Sequence, residues 1–113
     1  MSAKPVTVLC LYRVKEGSVE EFQGLLAKHW PALDSVGLVT DEPARHWLSH
    51  EKGSDAPVVV EIFSWKDASM PGRAHELPEV MAVWEPMGGL CEERGNKPSM
   101  EFLDLAPLVV EHA

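Results

Sequence analysis

The chain has 113 residues, 45% apolar and 25% charged, which suits one packed globular domain, since a second would leave each half too short to bury an adequate core. It carries no low-complexity tract of the kind that stays disordered. A formal net charge of −8, with the ten basic residues scattered, disfavours nucleic acid and anionic membrane surfaces, both of which need clustered Lys and Arg to displace counterions.

The N-terminal stretch MSAKPVTVLCLYRV lacks the apolar core and small-residue cleavage site of a secretory signal, and no run approaches the length of a membrane span, so a cytoplasmic location is expected. Val6 to Val14 is rich in β-branched and aromatic residues and apolar on both alternating faces, the pattern of a central strand. KEGS then supplies a turn, and Ser18 followed by Glu21 has capping-box spacing. Phe22, Leu25, Leu26, His29, Trp30 and Leu33 recur at helical spacing, predicting a helix from about Val19 to about His29 with a looser turn around Pro31. ARHWLSHE reads as a second strand and Val58 to Lys66 as a third, and the turn-rich linker KGSDAP makes them antiparallel neighbours. Asp67 is placed to cap a second helix, with Pro78 at a first turn and Val80, Val83, Trp84 and Met87 as its apolar stripe. Pro86 and the Gly88–Gly89 pair should kink or interrupt it before Leu90 and Cys91. SMEFLDL is the last strand, and the tail PLVVEHA is free to embrace a partner subunit. Cys10 and Cys91, the only cysteines, are expected as buried free thiols, neither having a second Cys at metal-ligand spacing.

The order β, α, β, β, α, β predicts an α+β, ferredoxin-like fold, a four-stranded antiparallel sheet with two helices on one face. The first and third strands are apolar on both faces, so the face away from the helices needs a second layer. The same sheet from a second copy is the simplest supplier, which makes a homodimer the expected state.

Four segments, VTVLCLYRVKEGSVEEF, FSWKD, AHELPEV and MEFLDLAPL, together resemble the antibiotic biosynthesis monooxygenase (ABM)-like proteins of the dimeric α/β-barrel superfamily over nearly the whole chain. The resemblance implies a dimeric barrel, a small-molecule pocket and, among several uses of that pocket, oxygenation of a phenol or hydroquinone with no cofactor. In such oxygenases the substrate is itself the reductant of oxygen, so the protein supplies a dry, shaped pocket and a base. The chain departs from the family pattern in three places. Phe63 stands where members often carry Glu, the acid lying four before Trp65, at Glu61. His75 precedes Pro78 by three residues rather than four, and Glu79 follows where a second His is typical. Tyr12 stands where the haem-degrading branch has Asn, which speaks against haem degradation.

Among residues able to carry chemistry, Glu61 sits in a strand of Val, Ile and Phe, where burial would raise its pKa toward a general base. The alternative is an ion pair with an Arg such as Arg45 or Arg13, or a place at a strand edge in water. His75, the other candidate catalytic residue, falls where the loop after the third strand enters the second helix, at the mouth of a pocket between helices and sheet. Glu61, Trp65 and His75 are expected to contribute to one wall of that pocket, with Trp84, Tyr12, His46 and His50 as further substrate contacts. His46 and His50 share a strand face about 13 Å apart, too far for one metal. If Leu48 pairs opposite Glu61, both histidines flank that carboxylate diagonally, although the loop does not fix the register. Pro78 spoils the superficial likeness of HELPE to a zinc helix, and no metal is expected. Trp30 and Trp47 read as core or interface. No phosphate cradle or dinucleotide fingerprint is present, so no cofactor is expected. A cofactor-independent oxygenase, a non-catalytic binder of a small molecule or haem, and a fold whose pocket is filled by its own Met and Trp side chains all remain open.

Overall fold

The two-sided apolar run near the N-terminus forms the inner strand β1 (Val6–Arg13) in the computed structural model, which describes residues 4–113. Met1, Ser2 and Ala3, the first residues of the stretch weighed as a secretory signal, lie outside the described residues. Then follow α1 (Val19–Ser35), β2 (Arg45–His50), β3 (Pro57–Trp65), α2 (Met70–Ala74), α3 (Pro78–Gly89) and β4 (Met100–Leu105). The strands make one four-stranded antiparallel sheet in the order β2-β3-β1-β4. β3 is therefore inserted between β1 and β2, which is the split βαβ, ferredoxin-like arrangement. Among the described residues, no helix is long and apolar enough to cross a membrane.

Paired residues share a face of a sheet, and Cys10 opposite Glu61 and Val8 opposite Phe63 fix which faces those are. Val8, Cys10 and Tyr12 of β1 and Val59, Glu61, Phe63 and Trp65 of β3 are buried on one side. Against them lie the buried stripes Phe22, Leu26, His29 and Leu33 of α1 and Val80, Val83 and Met87 of α3. The opposite face carries Leu9, Leu11, Val60, Ile62, Trp47 and Leu103, none of them fully buried. Both cysteines are free and buried.

Local chemistry departs from the sequence expectations at the helix ends. α1 does not loosen at Pro31 but runs to Ser35, because Leu33, wholly buried, keeps the last turn packed on the core. Gly37, at φ +75°, turns the chain out of it, and the Leu38 N–H closes on the Leu33 carbonyl at 3.1 Å. Ser18 makes no side-chain cap bond, so the capping box is not formed. The second helical region is split. Asp67 binds the Ser69 N–H and hydroxyl in a turn before the short α2, and Leu77, in extended conformation, separates α2 from α3. Pro86 is accommodated inside α3, which ends at Gly89 as the Gly pair suggested.

Candidate functional site

Between helices and sheet lies a cavity of about 500 Å³. Val8, Cys10 and Tyr12 of β1, Phe63 and Trp65 of β3 and Met100 and Phe102 of β4 form its floor, and Met81, Trp84 and Met87 of α3 form the roof. His75, exposed at the end of α2, stands at the mouth with its ring 4.8 Å from that of Trp84. Aromatic rings and methionines make up much of the wall. Phe63 and Trp65 meet at 5.1 Å, and Trp65 and Trp84 at 6.5 Å with their planes nearly perpendicular. Polar groups in the wall are few: His29, His75, the Tyr12 phenol, Glu85 and Asp104.

Behind the wall lies Glu61, with no exposed surface. The Tyr12 hydroxyl donates to its Oε1 at 2.6 Å, His46 Nε2 lies 2.8 Å from Oε2, and His29 Nδ1 lies 2.9 and 3.1 Å from the two oxygens. The other ring nitrogen of His29, Nε2, receives the Trp84 indole N–H at 2.8 Å. An indole nitrogen can only donate, so His29 Nε2 must offer its lone pair and the ring proton must sit on Nδ1. The His29–Glu61 contact is thus a hydrogen bond from a neutral ring to a carboxylate. A relay runs from Trp84 through His29 to Glu61, with Tyr12 and His46 completing the shell of the carboxylate.

This shell reverses the expected titration of Glu61. Burial alone would raise its pKa, but the hydrogen bonds from His29, His46 and Tyr12 outweigh burial and hold it down at about 2. Burial, and then the charge of Glu61, push the Tyr12 phenol well above its ordinary range and the Cys10 thiol up to about 12. Tyr12 is therefore a fixed donor, and Cys10 is a neutral, unreactive thiol in the cavity floor.

The other sequence candidates divide by position. Trp65, Trp84 and His75 line the cavity as expected, and Tyr12 lines it with its ring while its hydroxyl is committed to Glu61. Glu61 itself contributes no atom to the wall, because Tyr12 and His29 stand in front of it. Its expected Arg partners are also corrected. Arg13 pairs with Glu101 at 2.6 Å and Arg45 lies over the Trp47 ring, both on the far face. The hairpin register places His46, not Leu48, opposite Glu61, while His50 pairs opposite Pro57, exposed and outside the cavity wall. His29 was counted in sequence only as part of a helical stripe. The signal was available: a lone imidazole among Phe22, Leu26 and Leu33 must find polar partners inside the core.

No protein-family model matches the chain, nor does any curated protein. Solved structures do match in fold. SnoaB, a cofactor-independent oxygenase from Streptomyces nogalater, is 20% identical and superimposes with a TM-score of 0.65 over 96% of this chain and 97% of its own. A dimeric ferredoxin-like protein of unknown function from Jannaschia sp. gives 0.67 at 13% identity, over 92% of this chain and 100% of its own. A provisionally assigned antibiotic biosynthesis monooxygenase from Bacteroides thetaiotaomicron gives 0.64 at 15% identity, over 94% of this chain and 91% of its own. The fold is that of the ABM-like domains.

Proposed function

We propose that, on this ABM-like fold, the chain is a cofactor-independent monooxygenase for a phenolic or quinol-type small molecule held between the helices and the sheet. The observation that carries the reading is the aromatic cavity of about 500 Å³ whose polar groups are sparse and include an imidazole backed by a buried carboxylate. A phenolate gives up an electron to oxygen far more readily than the neutral phenol, so a site that removes one proton in a dry enclosure needs no redox cofactor. At a methylene flanked by phenolic rings, the CH₂ becomes C=O, one oxygen atom entering the substrate and the other leaving as water, with all electrons drawn from the substrate. Trp65, Trp84 and the Tyr12 ring offer flat walls for such a ring system, His75 meets it at the mouth, and Glu61 acts from behind. The fold likeness to SnoaB supports this reading. Oxygen uptake is the test: with a panel of anthrones and hydroquinones, and no added flavin, metal or nicotinamide, one O₂ should be consumed per anthrone. Saturable binding without uptake would replace the oxygenase with a non-catalytic binder.

The working unit of this reading is a homodimer in the cytoplasm. The far face of the sheet, with Trp47, Leu103 and Leu105 about half exposed, suits a second copy packed sheet to sheet. Two unpaired, buried thiols suit a reducing compartment.

A further inference from the structure

We propose that His29 is the base of this cavity: its Nε2 takes the proton of a phenolic hydroxyl that displaces the Trp84 indole, while Glu61 positions the ring from Nδ1. The inference rests on the oxygenase reading for the fate of the anion, and on the cavity alone for the proton transfer. His29 is 2% exposed yet forms part of the cavity wall, so its ring is shielded from bulk water while it borders the space a ligand would fill. Its Nδ1–H is tied to Glu61 at 2.9 Å, which fixes the tautomer and aims the Nε2 lone pair at the roof. There the lone pair is occupied by an indole that donates a hydrogen bond and can do nothing else.

That geometry makes two states mutually exclusive. Once Nε2 carries a proton, it and the Trp84 N–H are both donors and cannot bond to each other, so proton uptake releases the indole. An arriving phenol offers what the indole cannot: it gives its proton to the lone pair, and the oxygen then accepts the new N–H. The phenolic O–H bond breaks, the Nε2–H bond forms, and the imidazolium lies between the Glu61 carboxylate and the phenolate. Tyr12 and His46 keep Glu61 ionised by their hydrogen bonds, so the counter-charge is in place before the proton moves. The other titratable groups around the cavity do not compete for this role. Cys10 and Tyr12 remain protonated, and Glu85, Asp104 and the exposed His75 have no hydrogen-bonded relay behind them among the described residues. Trp84 is a latch, and Glu61 a positioning residue.

The test uses 4-nitro-1-naphthol, whose anion absorbs in the visible, bound to the full chain and titrated with pH. The wild type should hold the probe as the anion at a pH where the free probe is mostly neutral. His29→Gln and Glu61→Gln should move the midpoint of the anion band about one to two pH units upward, the effect of removing a nearby opposite charge. Trp84→Phe, which keeps a flat ring and removes the N–H, should retain the band and bind the probe about 2- to 10-fold more tightly, as expected from loss of one competing hydrogen bond. Should His29→Gln not fold, the Glu61→Gln and Trp84→Phe pair still decides. The assignment is overturned if the wild type binds the probe only in neutral form, if Trp84→Phe abolishes the band, or if the band survives in His29→Gln and is lost in His75→Gln. An intact anion band with no oxygen uptake from any anthrone would sink the oxygenase reading and leave His29 as the base. Uptake with no anion band would do the opposite.

Discussion

A carboxylate with no exposed surface and three hydrogen-bonding neighbours is costly to bury and costly to disturb. Replacing Glu61 with Leu would strand the buried Tyr12 hydroxyl and His29 imidazole without an acceptor, and unfolding experiments should register a loss of about 1–3 kcal/mol for each. The same shell sets an acid limit. Because the folded pKa of Glu61 is depressed to about 2, its contribution is fully present above the ordinary carboxylate range and is lost as pH falls from about 4.5 toward 2. Urea midpoints should drop steeply across that window in the wild type, and a Glu61→Gln variant should show a shallower drop. Glu61 was visible in the sequence as an acid in an apolar strand, but the sign of its titration was not. That sign depends on His29, 32 residues away, and on Tyr12, 49 residues away, and nothing in local spacing records such partners. His29 was hidden differently: its helical period matched the core so well that it passed for one more packing residue.

At the level of single elements, apolar patterning located β1, β3 and the first helix, because β-branched alternation and the 3.6-residue stripe are direct imprints of burial, an imprint that β2, exposed along its length, does not carry. Boundaries were less legible wherever packing overrode local preference. Pro31 within α1 removes a backbone donor, yet the buried Leu33 holds the helix through to Ser35. Pro31→Ala should therefore raise stability by roughly 1–3 kcal/mol, as measured by denaturant midpoint, with the far-ultraviolet dichroism of the helix unchanged. The β2–β3 register is not legible in the loop, and the structure sets it with His46, not Leu48, opposite Glu61. Pairings two residues apart keep every side chain on its original face, so hydrophobic alternation cannot choose between them.

For the molecule as a whole, the unfinished surface was the most legible feature. Two strands apolar on both sides imply two layers, and a single chain supplies only one. Trp47, Leu103 and Leu105 remain about half exposed on the sheet, and Leu108 and Val109 of the tail are almost fully so. If a second copy covers the sheet, a charge placed on the covered face should separate the subunits. Leu103→Asp is expected to convert a dimer into a monomer in sedimentation velocity at micromolar concentration, while a wild type that already sediments as a monomer would remove the barrel model.

The strand order has a further consequence, for the chain while it is being made. β1 lies inside the sheet and is made before the other three strands, whereas its neighbour β4, which pairs Leu105 with Thr7, is made after them. Contacts that far apart in sequence must wait until the elements between them have been made, so one edge of β1 stays unpaired until β4 appears. The topology that encloses the cavity in the finished protein thus obliges the nascent chain to carry a sticky, open β-edge until β4 emerges.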